Sequence, residues 1–358
     1  MMTSLRSWLE LAHTSGINPR VAWERWSHLP DITALLALPR RQKGVVHSLE
    51  AEYRLVSEWL ARDTRHHVLT WADDAYPALW RTLADPPPVV YVWGHLTTLA
   101  MQSIAVVGSR RATGEGLGLA REWSVALARA GLCVVSGLAL GIDGEAHRAT
   151  LDVSGATIAF LGGGLMRVHP RAHLALAQRI AAHGGAVASE FPLALSPSPG
   201  HFPRRNRLIS GLSRGGLVVE AAERSGSLVT AHLAAEQGRD VFVIPGSVRS
   251  GQSSGCHRLI REGATLVSSP LDILSEWDML PVSGVESVKK NTEDALDTHN
   301  WLMEEQILYS LMGPEAQSMA VLGGRLGWPE QKMIKFLLTL ELKGVINRTF
   351  TGYQKVER

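Results

Sequence analysis

The sequence predicts an α/β protein: a doubly wound, mostly parallel sheet, preceded by a small helical domain and followed by a winged-helix domain. Three observations predict it. From about residue 104 to 276, short apolar runs alternate with helical patterns. Nearly every run ends in Gly or Ser, and unbroken apolar runs belong to parallel strands covered on both faces. Residues 301–358 then read as three helices and a hairpin turning at Thr351-Gly352.

A chain of 358 residues is too long for one ordinary domain. Residues 1–70 read as helices, with Leu5, Trp8, Leu9 and Ala12, then Leu49, Tyr53, Val56 and Leu60, at helical spacing. Gly16-Ile17-Asn18-Pro19 reads as a plain interhelical turn. The turn-rich segments at Tyr76-Pro77 and Asp85-Pro86-Pro87-Pro88 lead to a strand over Val89–Gly94. Further strands are expected at Ile104–Val107, Leu132–Val135, Thr157–Leu161, Ala186–Ala188, Leu217–Val219 and Val241–Ile244. Helices are expected at about 115–130, through Glu145 and His147, and at 171–183, 205–212 and 228–237. Residues 281–300 are polar with mixed charge and read as a linker. The domains are therefore 1–70, 71–280 and 301–358, with 281–300 between the last two.

Hydrophobic content of 45% and charged content of 20% are those of a soluble globular protein. The formal net charge is only +2, so any nucleic-acid face is local rather than global. Cys133 and Cys256 lack metal-ligand spacing, which points to buried thiols in a reducing compartment. No run approaches the ~18 apolar residues of a membrane span. The first residues lack an apolar core long enough for a signal peptide, so a cytoplasmic protein is expected.

The motifs of small-molecule chemistry are weak. Gly114, Gly116 and Gly118 superficially match a dinucleotide fingerprint, but they begin or lie inside the helix rather than in the turn before it. The strand that should end in an acid ends in Ser136-Gly137. No Gly-Lys-Ser/Thr phosphate loop occurs. Asp143 and His147 stand four apart, the spacing of a base and its orienting acid. They read better as a helix N-terminal acid and a surface or capping histidine. No cofactor, metal or catalytic residue is expected.

The stronger signal is positive charge at the strand ends. Ile104–Val107 feeds the turn Gly108-Ser109-Arg110-Arg111 and then a helix, so backbone amides and the helix dipole favour an anion there. Phe202-Pro203-Arg204-Arg205-Asn206-Arg207 opens another helix, where arginine opposes the dipole and so points to an external anion. From Phe191 to Val219 there is no Asp or Glu, while Arg204, Arg205, Arg207 and Arg214 add four charges. In a doubly wound sheet ligands bind beyond the carboxyl ends of the strands. The turns at Gly108–Arg111, Gly137 and Ser225-Gly226-Ser227 gather there with the arginine helix. A basic groove lined by backbone donors suits single-stranded nucleic acid, with Phe191, His201 and Phe202 as candidates to stack on bases.

These residues resemble the DprA/Smf DNA-processing proteins of bacteria. The resemblance lies in VGSRRAT, VVSGLALGIDGEAH, TIAFLGGG, SEFP, FPRRNRLISGL, VVEAAERSGSLVTAHLAAEQGRDVFVIPG and GCHRLIREGATLV, and covers about residues 70–276. It departs from many members at Val168-His169-Pro170, where they have Tyr-Pro. The resemblance implies an extended Rossmann-like sheet between a SAM-like helical domain and a winged helix. It implies a non-enzymatic protein that binds single-stranded DNA and loads the RecA recombinase onto it in natural transformation. By motif, Ser109 and Arg110 match the family's Gly-Ser-Arg turn, and Arg204, Asn206 and Arg207 its Arg-Asn-Arg helix start. A homodimer through residues near Cys256–Leu274 is a further family expectation. The alternatives are a nucleotide- or nucleoside-phosphate-processing Rossmann enzyme and a protein-interaction scaffold. Residues 301–358 carry seven cationic and six acidic side chains, too balanced for a main DNA reader.

Overall fold

A computed structural model describes residues 5–14, 17–26, 28–29, 31–37, 48–279, 308–309, 311–312, 317–326, 328, 330–342, 345–349 and 352–356. The chain divides into two compact units, Met1–Leu280 and Pro281–Arg358.

The first unit is built on one nine-stranded sheet. Its strands are β1 (His66–Thr70), β2 (Val89–Gly94), β3 (Ser103–Val107), β4 (Cys133–Ser136), β5 (Thr157–Phe160), β6 (Ala186–Ser189), β7 (Gly215–Val218), β8 (Asp240–Val243) and β9 (Thr265–Leu266). They lie in the order β1-β2-β6-β5-β4-β3-β7-β8-β9. From β6 to β9 every pairing is parallel, and β1 and β2 add an antiparallel edge. The expectation of a doubly wound, mostly parallel sheet describes this architecture. β1 extends the sheet to residue 66, in front of the boundary expected at 70, and β9 is a two-residue strand that periodicity does not reveal.

Strand side chains alternate between faces. Ile104 and Val106 join one buried cluster with Trp123 and Leu127 of α5 (Gly114–Arg129) and with Ile142 and Ala146 of α6 (Ile142–Asp152). Ala105 and Val107 join the other, with Leu208 and Ile209 of α8 (His201–Leu212) and with Leu228 and Ala231 of α9 (Gly226–Glu236). Helix α7 (Leu174–Ala182) covers β2, β5 and β6. The N-terminal helices α1 (Leu5–Leu9), α2 (Pro19–Trp26), α3 (Ile32–Leu36) and α4 (Leu49–Arg62) share the second cluster. Trp8, Trp23 and Trp26 surround Trp71, which directly follows β1.

In the second unit Met319–Leu326, Glu330–Leu342 and the antiparallel pair Ile346–Arg348 and Tyr353–Lys355 share a core of Leu322, Met333, Phe336, Leu337, Leu340 and Ile346. Ile334 and Leu338 of the second of these helices are half exposed. The expected linker at 281–300 and the helix beginning at Trp301 lie almost wholly outside the described residues. No helix among the described residues is long and apolar enough to cross a membrane.

His147 is not a surface or capping residue. It is fully buried in α6, with Nδ1 at 2.7 Å from the Thr157 hydroxyl. That hydroxyl donates to the Val134 carbonyl at 2.6 Å, so it must accept from the Nδ1–H of His147. Nε2 is buried without a partner, and burial pulls the imidazole down from its ordinary 6.5 to about 3. The unfolded chain therefore binds a proton below pH 6.5 that the folded chain refuses until about 3. The histidine's contribution is complete above 6.5 and is lost as pH falls toward 3. The thermal midpoint should drop through this window, and His147→Asn should flatten the drop between pH 6.5 and 4.5, above most carboxylate titrations.

Candidate nucleic-acid interface

The chain leaves β3 in one direction toward β4, β5 and β6, then returns to the other side of β3 as β7. This reversal opens a crevice beyond the ends of β3 and β7. A cleft of about 550 Å³ lies there, lined by Gly108, Ser109, Arg110 and Arg111 after β3, by Phe202, Arg205 and Asn206 of α8, and by Arg224 and Ser225 before α9 and Gly226 and Ser227 at its start. Ten of the residues expected at the site are thus brought together. Gly137, Arg204 and Arg207 do not line it.

Backbone crowding shapes the turn after β3. A Cβ on Gly108 would lie 2.5 Å from Ile142, and one on Gly141, at φ +77°, would lie 2.2 Å from the Ser109 carbonyl. Ser109 is buried and ties the turn: its amide donates to the Glu220 carbonyl at 2.7 Å and its hydroxyl accepts the Arg111 amide at 3.1 Å. Arg110 and Arg111 are left exposed, with the Arg110 guanidinium 5.3 Å from the centre of the Phe202 ring. Phe202 itself is half-buried against Gly162. Ser225 caps α9, accepting the Ser227 amide, and its hydroxyl meets that of Ser227 at 2.7 Å.

The anion site expected at the start of α5 is already filled from within. The Glu220 carboxylate accepts the Thr113 amide at 3.2 Å and the Thr113 hydroxyl, and Gly116 leaves the room it occupies. An acid at a helix N-terminus satisfies both dipole and amides.

The arginine cluster divides by burial. Arg205 is buried, donating to the carbonyls of Gly137 (2.8 Å) and Phe160. A Cβ on Gly137 would lie 2.6 Å from its guanidinium, so this glycine makes room for the arginine rather than for a ligand. Burial brings Arg205 down to about 10, still protonated at neutral pH, with Asp143 supporting its charge. Burial raises Asp143, against the pull of Arg205 and of the Gly137 and Ala139 amides that it accepts. Arg207 is 8% exposed and ion-paired with Glu190 at 2.6 Å and Asp85 at 3.3 Å. Glu190 also holds the exposed Arg204 at 3.0 Å. Arg214 precedes β7 at the opposite end of the strands and lies over the Trp277 ring. Phe191 is buried beneath His201 and Arg204, so it offers no face to a base. Helix α8 begins at His201, one turn before the start expected, which places the arginines inside it.

Arg110, Arg111 and Arg224 are the exposed arginines of the cleft, and none has a salt bridge among the described residues. Arg224 was missed; its signal was an arginine directly before the Ser-Gly-Ser turn. Replacing Arg207 with alanine leaves the buried Glu190 with the exposed Arg204 as its remaining arginine partner. It should cost about 3–5 kcal/mol in urea unfolding, while Arg110→Ala should stay within about 0.5 kcal/mol.

Comparison with known proteins agrees with this architecture. The profile of the DNA recombination-mediator protein A family matches residues 67–278. Protein Smf of Escherichia coli K12 is 41% identical over 300 residues, 84% of this chain and 80% of Smf. DNA processing protein DprA of Streptococcus pneumoniae R6 is 45% identical over 206 residues, 58% of this chain and 72% of that protein. The crystal structure of the Streptococcus pneumoniae protein superposes with a TM-score of 0.64 at 36% identity, covering 77% of this chain and 99% of that one. A Helicobacter pylori DNA processing protein A, studied for its single-stranded DNA binding mode, superposes at 0.54 and 28% identity, covering 59% and 95%. With a sheet wound about this cleft and these motifs in this order, the chain belongs to the DNA recombination-mediator protein A family, that of DprA and Smf.

Proposed function

We propose that the protein binds single-stranded DNA in the β3–β7 cleft and loads RecA recombinase onto it, as a cytoplasmic mediator in DNA uptake and natural transformation. The observation that carries the reading is the set of exposed cations, Arg110, Arg111 and Arg224, without salt bridges among the described residues, around a cleft lined by Ser225, Ser227 and the Phe202 ring. Phosphates take the arginines and the α9 start, and a base takes the half-buried ring. The Helicobacter pylori relative's single-stranded DNA binding supports the same use of this fold. The protein acts without catalysis. Glu220 supports this over the nucleotide-enzyme reading, because its carboxylate stands where such an enzyme needs the α5 start free for a phosphate.

The active form is a homodimer through the late part of the sheet unit. Support comes from β9, a short edge strand, with Leu266 within it 51% exposed and Leu271 after it 56% exposed. Two clefts in one particle raise avidity for long strands.

Three cationic contacts give an expected slope of log affinity against log salt of about −2 for a short strand that occupies this cleft alone. Alanine at Arg110, Arg111 or Arg224 should each reduce the slope by about 0.7 and weaken all base sequences alike. Fluorescence anisotropy over a salt series checks this, and a salt-independent affinity would sink the proposal. Ending the chain after Asp278, next to the boundary between the two units, should preserve single-strand affinity. A loss beyond about tenfold, ~1.4 kcal/mol, would move the main DNA site to the C-terminal unit.

A further inference from the structure

A second pocket, also about 550 Å³, lies on the first unit away from the residues of the β3–β7 cleft. Its aromatic wall is a corner. His66 stacks on Trp59 at 4.0 Å and 11°, and Trp93 stands at 70° to His66 with ring centres 6.3 Å apart. The Nδ1–H of His66 donates to the Trp59 carbonyl at 2.7 Å, which fixes the ring in place. The Nε1 of Trp93 is a buried donor with no partner. The opposite wall comes from the loop after β5, where Arg167 and Arg171 are exposed and have no salt bridge among the described residues. Met166 and Leu174, 44% and 46% exposed, complete the rim.

We propose that this pocket holds one nucleotide unit: a base in the His66–Trp93 corner, with its phosphate on Arg167 and Arg171. Flat rings at an angle to each other accept a flat ring, which stacks on one and meets the other edge-on. Base stacking on aromatic side chains tolerates any sequence, and guanidinium pairs hold phosphate oxygens. No carboxylate lines the pocket to repel the phosphate. The loop that carries Arg167 continues to His169, whose ring lies 6.0 Å from Phe202 at the first cleft. The two pockets are thus joined by one loop, so a strand seated in the first has a second anchor. The same chemistry also describes a free mononucleotide. The inference rests on the single-strand reading for the strand as source, and the test separates the two.

The test uses the full chain and a 20-nucleotide oligo-dT in which some thymines are 5-iodouracil, with a 6-nucleotide oligo-dT as control. Irradiation followed by peptide mass spectrometry should place crosslinks at His66 or Trp93. Arg167→Ala combined with Arg171→Ala, both surface changes, should remove those crosslinks. It should weaken the 20-mer about tenfold and reduce its salt slope by about 1.4, while the 6-mer is unchanged. Arg110→Ala combined with Arg111→Ala should weaken the 6-mer, which tests the first cleft separately. Thymidine monophosphate that removes the His66 or Trp93 crosslinks without releasing the 20-mer identifies a free nucleotide as an occupant. If it does not compete, the occupant is a unit of the strand. Crosslinks elsewhere only, with an unchanged 20-mer slope in the double variant, would overturn the proposal. So would an acidic, Phe-containing peptide that binds the wild type but not the double variant while the oligonucleotide is unaffected.

Discussion

The amide of Ser109 donates to the carbonyl of Glu220, and the carboxylate of the same glutamate takes the amide and hydroxyl of Thr113. One residue after β7 therefore fastens both ends of the turn that follows β3. An open α/β sheet has a crevice where its strand order reverses, and the neighbouring helix start attracts negative charge. Here the chain supplies that charge itself. The helix start is satisfied, the turn is held against the next strand, and Arg110 and Arg111 are left on the outside. Gly108, Gly116 and Gly141 stand where this arrangement leaves no space for a side chain. The cleft is consequently a surface of hydroxyls and cations whose neighbouring helix start is already occupied by a carboxylate.

Burial decides what each arginine does. Arg205 is desolvated and spends its donors on the carbonyls of Gly137 and Phe160, joining the ends of β4 and β5 to α8. Arg207, with Glu190 and Asp85, ties the Pro-rich approach to the sheet onto the same helix. These two are structural, because both guanidinium groups are buried, one held by two backbone carbonyls and the other by two carboxylates. Arg110, Arg111 and Arg224 remain hydrated and keep their donors.

The parallel sheet was legible because its strands are buried on both faces: Ile104–Val107 is apolar at every position, and Gly108 marks its end. β1 was not, since His66 and His67 give an edge strand no apolar signature, and β9 is too short for any pattern. The residues around the cleft were legible as turn glycines, serines and arginines at strand ends. Their division into exposed and buried was not. Arg204, Arg205 and Arg207 share one short stretch, and only the rotation of α8, set by Leu208 and Ile209 in the core, determines which of them reaches water. Glu190 and Asp85, distant in sequence, then choose their partners. The carboxylate of Glu220 was equally hidden, because nothing local shows that it reaches the start of α5.

The indoles of Trp8, Trp23 and Trp26 close around Trp71, and the Tyr91 hydroxyl in β2 meets Glu52 of α4 at 3.2 Å and His13 at 3.0 Å. The N-terminal helices are therefore the roof over one end of the sheet's core. Stripped of that roof, the edge made by β1 and β2 would show a contiguous aromatic patch of the kind that makes proteins adhere to one another. The inner side of those helices keeps these rings out of water. Sequence change in this region is thus constrained first by the indoles it must cover, and the outward-facing positions are freer to diverge.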